Sequence, residues 1–278
     1  MATESPAQSQ DFVRSADGTK LAYWHWPVAG SSTTFAVVHG LGEHGGRYDR
    51  FAHGMAPFGM STYALDLRGH GRSAGQRGHV DSWTQLVEDA SAFIAWVQNQ
   101  TPHEVVPVGH SFGGAVLLST VLARKLANTR RFVVSSPALK LKMSVPGWKK
   151  SLGRLTARVT PRLAMSNNVD PGTVSRLPEV VEAYRKDPLV HNRITSRMFS
   201  EWQGASAEIL ARAGEIEIPF LILAGSDDRL IDPEGSRLLH ERTPRVSRFE
   251  LLPGRYHEPF NDLGSDQVFA LIADWMKR

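Results

Sequence analysis

The chain contains no cysteine, so disulfides, thiolate metal sites and a cysteine nucleophile are all excluded. It has no run of 18 apolar residues, so no segment predicts a membrane-spanning helix. Residues 1–10 are polar and lack the apolar centre of a secretory signal. They are expected to form a disordered tail on a protein that is cytoplasmic, or peripheral at a membrane surface. Acidic residues are missing over one long stretch. Between Glu104 and Asp170 there is no Asp or Glu, while eleven Lys or Arg fall from Arg124 to Arg162. The imbalance is local, because the formal net charge is only +4. No nucleic-acid motif accompanies the basic stretch, which argues against a nucleic-acid partner. No G-x-G-x-x-G or Walker pattern is present either, and no internal repeat is visible.

What remains is an ordinary globular composition, 41% hydrophobic and 22% charged over 278 residues, enough for one large domain. Two strand-like runs flank Ala16-Asp17-Gly18 and predict an opening hairpin. After it, short apolar strands alternate with helical patterns. Phe35, Ala36, Val37 and Val38 form a strand buried on both faces, and residues 48–58 a helix. Residues 61–66 are a strand. Leu86, Ala90, Phe93, Ile94 and Val97 recur at helical spacing behind a capping-box pair, Ser82 and Gln85. Residues 105–108 are a strand, 115–127 a helix and 131–135 a strand. The alternation stops between residues 138 and 205, where no clear strand is visible, and resumes with strands at 219–224 and 246–252 and helices at 233–242 and 267–277. Such alternation predicts an α/β fold, a mostly parallel sheet covered by helices on both faces. The core is then 11–137 with 206–278, and 138–205 is a mainly helical insertion lying over the sheet's carboxyl edge as a cap.

Gly109, His110, Ser111, Phe112 and Gly113 match G-x-S-x-G between a predicted strand and a predicted helix. In that setting the serine sits on a sharp, strained turn, with its hydroxyl at the sheet edge and the next amide at a helix N-terminus. A serine hydroxyl needs a base, and the base needs an orienting acid. Of eleven histidines, only His257 follows the last predicted strand. His240 lies mid-helix and His191 in the insertion. The acid should follow the preceding strand, where Asp227, Asp228 and Asp232 compete. Asp232 precedes Pro233 and suits a helix cap, whereas Asp227 and Asp228 are equivalent on spacing alone. The Gly-rich loop after the Phe35 strand offers the Leu41 amide, which with the Phe112 amide would form an oxyanion hole.

His39-Gly-Leu-Gly-Glu-His44, Asp66-Leu-Arg-Gly-His-Gly-Arg-Ser73, Gly109-His-Ser-Phe-Gly-Gly114, Gly225-Ser-Asp-Asp-Arg229 and Tyr256-His257 together resemble the monoacylglycerol lipase and lysophospholipase group of α/β-hydrolases, over about residues 12–275. The resemblance implies that the acid is Asp228, the residue before Arg in that loop, and that a helical cap covers the site. It also implies hydrolysis of monoacylglycerol- or lysophospholipid-type esters through an acyl-enzyme, with no metal or organic cofactor and no obligate protein partner. A general carboxylesterase, an amidase or aminopeptidase on the same triad, and a silent binding protein are the competing readings. The early cap lacks the carboxylates that a peptidase would offer to a substrate amine.

Within the cap, Trp148, Leu152, Leu155 and Val159 fall at helical spacings, with Lys149, Lys150, Arg154, Arg158 and Arg162 among them. Val145, Trp148, Leu152 and Leu155 are therefore expected to line an acyl pocket. The same basic amphipathic pattern suits a helix lying on an anionic bilayer.

Overall fold

A computed structural model describes residues 9–142, 156–167 and 169–277. β1 (Ser9–Arg14) and β2 (Lys20–Trp26) form the hairpin. At its turn Gly18 has φ of 84°, a backbone that suits glycine. β1 begins inside the stretch expected as tail, since Ser9 and Gln10 pair with His25 and Trp24. The apolar runs become β3 (Thr33–Val38), β4 (Met60–Leu65), β5 (Glu104–His110) and β6 (Phe132–Ser135). Two strands of the insertion, β7 (Ala164–Ser166) and β8 (Arg193–Thr195), pair only with each other, and β9 (Phe220–Gly225) and β10 (Ser247–Leu252) complete the main sheet. Its order is β1-β2-β4-β3-β5-β6-β9-β10. β2 is antiparallel to both neighbours and the strands from β4 to β10 are parallel.

Among the described residues, the helices of seven residues or more are α1 (Asp49–Met55), α2 (Trp83–Gln100), α3 (Ser111–Leu122), α4 (Pro178–Lys186), α5 (Ser196–Arg212), α6 (Glu234–Arg242) and α7 (Ser265–Met276). Alternation along the central strands feeds two cores. Ala36, Val38, Val134 and Ile222 pack with α2, α3 and α5. Phe35, Val37, Val133 and Leu221 face the other way, onto α1 and α7. Every residue of β3, β6 and β9 is buried, which is why they read as continuous apolar runs. The chain passes from β3 outward to β4 and then returns to place β5 on the other side of β3. A crevice opens at the carboxyl ends of strands where the order reverses in this way.

Three details differ from the sequence reading. Ser82 immediately precedes α2, but its hydroxyl makes no cap bond. Gln85 reaches the Asp81 amide (2.9 Å), and the Trp83 amide is taken by the Glu201 carboxylate from α5 (2.9 Å). A capping box is a local pattern, and here a distant carboxylate displaces it. Second, β7 and β8 lie in the segment expected to hold no strand. At three residues each, they are too short to show alternation. Third, the expected boundary at residue 205 falls inside α5, which packs on α2 and α3. Trp202 Nε1 and Ser206 Oγ both donate to the Ala138 carbonyl, at 2.8 and 2.9 Å. No described helix is long and apolar enough to cross a membrane.

Candidate active site

β5 ends at His110 and α3 begins at Ser111, with no intervening loop. That abrupt turn forces Ser111 into left-handed backbone, φ 52°, a strained conformation for a residue with a side chain. The flanking glycines have a steric reason. A methyl group at Gly109 would lie 2.7 Å from the Gly113 carbonyl oxygen, and one at Gly113 would lie 2.2 Å from the Val38 carbonyl oxygen. Strand and helix approach too closely for any larger residue.

His257, in the loop after β10, places Nε2 2.8 Å from Ser111 Oγ. Its Nδ1 lies 2.7 Å from Asp228 Oδ2, in the loop after β9. A carboxylate can only accept, so Nδ1 carries the proton and Nε2 is free to accept the serine O–H. Asp228 Oδ1 accepts the Leu230 and Ile231 amides at 2.8 and 2.9 Å. Burial would raise the Asp228 carboxyl, but His257 and those two amides outweigh it and hold it below the ordinary value. Burial would likewise lower His257. The Asp228 carboxylate, helped by Glu258 and Glu43, outweighs it and holds the imidazole above its usual value.

The other candidates separate cleanly. Asp227 is exposed and accepts from the Ser226 hydroxyl. Asp232 accepts the Glu234 amide at the start of α6 (3.1 Å) and pairs with Lys140 (2.9 Å). His240 bonds Ser247, and the backbone amide of His191 donates to Gly42. His110, buried with its ring 4.9 Å from that of His257, is pulled down by burial to about 3 and stays neutral.

The loop after β3 lies against the serine, since a methyl group on Gly40 would sit 3.3 Å from Ser111 Cβ. Leu41 N–H has no acceptor among the described residues. Phe112 is the second residue of α3, where a helix leaves its N–H without an intrahelical partner. Two backbone donors without a protein acceptor thus lie in the elbow and in the loop beside it, the kind of group that can receive an oxyanion. His39 braces the loop from behind. Its Nδ1–H donates to the Gly40 carbonyl (2.7 Å), and its Nε2 accepts the Leu67 amide (2.9 Å).

Sequence reasoning assigned no role to a buried ionic cluster beside the triad. Arg47 binds both Glu258 oxygens at 2.8 Å and Glu43 Oε2 at 2.6 Å. The only signals were the spacing of Glu43 and Arg47 and the position of Glu258 next to His257. Carboxylates thus do lie near the site, though from the core rather than the cap. Val145, Trp148, Leu152 and Leu155 lie outside the described residues. Val159, the last member of their pattern, is 70% exposed. No group of His, Asp and Glu suited to a metal ion occurs among the described residues.

A family model described as serine aminopeptidase, S33, matches residues 31–264. The chain is 31% identical to the monoacylglycerol lipase of Mycolicibacterium smegmatis over 98% of both proteins. It is 32% identical to an uncharacterized abhydrolase domain-containing protein of Dictyostelium discoideum, of which it spans only 28%. The crystal structure of the monoacylglycerol lipase of Paleococcus ferrophilus superposes with a TM-score of 0.80, at 30% identity over 98% of both chains.

Proposed function

The chain belongs to the S33 serine aminopeptidase family of α/β hydrolases, and on that premise we propose that it hydrolyses monoacylglycerol-type carboxylic esters with Ser111, His257 and Asp228. One observation carries the mechanism: the unbroken run of hydrogen bonds from Ser111 Oγ through His257 to Asp228, at 2.8 and 2.7 Å. Ser111 attacks the ester carbonyl while His257 Nε2 takes its proton. Asp228 holds the Nδ1–H tautomer and stabilises the imidazolium. The amides of Leu41 and Phe112 receive the oxyanion, and His257 then protonates the departing alcohol. Water, deprotonated by the same imidazole, releases the acid from the acyl-serine. The ester rather than the peptide reading is supported by the state of the nearby acids. Every oxygen of Glu43 and Glu258 already accepts from Arg47, Gly40, Tyr48 or Asn261. Both carboxylates are buried, with side chains 5–6% exposed, and are turned onto Arg47 rather than presented to a substrate ammonium.

The test is a set of initial rates on monoacylglycerols of increasing acyl length, a lysophospholipid, a short nitrophenyl ester and an aminoacyl nitroanilide. Preference for medium or long monoacylglycerols, lost in Ser111→Ala without a fall in Tm, is the expected result. Preference for the nitroanilide would replace the reading with a peptidase. Activity on the short ester alone would reduce it to a carboxylesterase.

A further inference from the structure

Arg47 stands between the two loops that the chemistry needs. On one side Glu43, in the loop after β3, accepts the Gly40 amide at 2.6 Å and the Tyr48 hydroxyl at 3.1 Å through Oε1. Its other oxygen takes Arg47 Nη1. On the other side Glu258, the residue after His257, takes Nη1 and Nη2 of Arg47, one on each oxygen. The three side chains are 5–8% exposed, and the Tyr184 ring of α4 covers the guanidinium at 4.5 Å from its centroid.

Such a cluster is a poor device for stability alone. Two buried carboxylates share one cation, so a negative charge remains out of water, and apolar side chains would fill the same volume at lower cost. What apolar side chains lack is direction. A planar guanidinium bound fork to fork fixes distance and orientation together. Gly40 precedes the Leu41 amide, and Glu258 follows the base, so the cluster spans from oxyanion donor to imidazole.

We propose that Arg47, with Glu43 and Glu258, is a positioning clamp that sets the oxyanion loop at a fixed distance from the His257 loop. The clamp rests on the ester-hydrolase reading above. It touches no reacting atom and acts through Gly40 and His257. The charged and titratable groups facing His257 are Asp228, Glu258 and Glu43, with Arg47 behind them and the neutral His110 ring alongside. Glu258 and Glu43 add to Asp228 in favouring the imidazolium.

The experiment measures kcat and KM on the short nitrophenyl ester and one monoacylglycerol across pH, per site titrated with a fluorophosphonate. It compares the wild type with R47K, E258Q and E43Q. R47K keeps the charge and loses the fork. Its kcat should fall on the order of 10- to 100-fold with KM little changed, because a small misplacement of reacting groups has that effect. E258Q should lose kcat similarly, and the acid limb of kcat/KM should move to lower pH as His257 loses one carboxylate. If R47K does not fold, E258Q and E43Q carry the test, since each leaves one carboxylate opposite Arg47. Variants with lowered Tm but wild-type kcat per site and an unmoved acid limb would overturn the clamp and leave only a structural ion pair. A wild type inert toward every ester would remove the ester reading and the clamp with it.

Discussion

Replacing Asp228 by Asn changes one atom in a side chain that is 2% exposed, yet the surrounding bonds dictate how the amide must sit. Asp228 Oδ1 is held by two backbone amides, from Leu230 and Ile231. Both are donors, so the asparagine must keep its carbonyl oxygen there. Its NH2 group is then turned onto His257 Nδ1, where the carboxylate accepted at 2.7 Å. A donor opposite Nδ1 forces the ring to carry its proton on Nε2, and that nitrogen faces Ser111 Oγ. The base then points a proton at the proton it should remove. Inverting the tautomer in a serine triad lowers kcat by about 10⁴, which is ~5 kcal/mol of barrier. The side chain keeps its volume and its two loop bonds, so the fold should survive and any fall in Tm should come from the lost carboxylate–imidazole pair. The assay is kcat on the short nitrophenyl ester, with Asp227→Asn as a control. Asp227 is exposed, and its variant should match the wild type. An Asp228→Asn variant retaining more than about a tenth of wild-type kcat would refute the tautomer reasoning and the role given to Asp228.

Because His257 is raised, the acid limb of kcat/KM should have its half-point above about pH 6.5; a half-point below that contradicts the electrostatics. The same pair sets a stability window. Asp228, lowered, contributes above the ordinary carboxylate value and is lost as pH falls through its folded value. His257, raised, contributes below the ordinary histidine value and is lost as pH rises through its folded value. The Tm difference between wild type and Asp228→Asn should therefore be largest between those limits; a flat difference across pH would refute the linkage. Gly113→Ala should lower both Tm and kcat, because its methyl group meets two backbone carbonyls, those of Val38 and His39, and overpacking of this kind costs about 1–3 kcal/mol; wild-type values would refute the packing argument. Glu201→Ala should cost about 1 kcal/mol through the lost cap on α2 and leave kcat unchanged, as thermal melts and rates would show.

The strands and the triad were legible for different reasons. β3, β6 and β9 are buried on both faces, so their sequence is apolar throughout and unmistakable. Ser111 was legible because a turn this tight admits only glycine two positions either side, a steric demand that marks the sequence. Asp228 was not separable from Asp227 by spacing, since a one-residue difference in a loop depends on backbone geometry that no periodicity records. The resemblance alone had chosen between them. The Glu201 cap and the Arg47 cluster stayed hidden because their partners lie far apart in the chain: Arg47 and Glu258 are 211 positions apart, and charged residues at such separations carry no local pattern.

The serine and its base are 146 positions apart along the chain, and the base follows the last strand of the sheet. During synthesis the nucleophile emerges long before the imidazole, on an elbow whose β3 and β5 neighbours are already made. On the proposed mechanism, turnover requires the loops after β9 and β10, which carry Asp228 and His257, to be in place. A nascent chain that has not reached residue 257 thus lacks the proposed base, and joining base to serine closes a loop of 146 positions. Recovery of turnover during refolding should accordingly report formation of this long-range contact rather than of local structure.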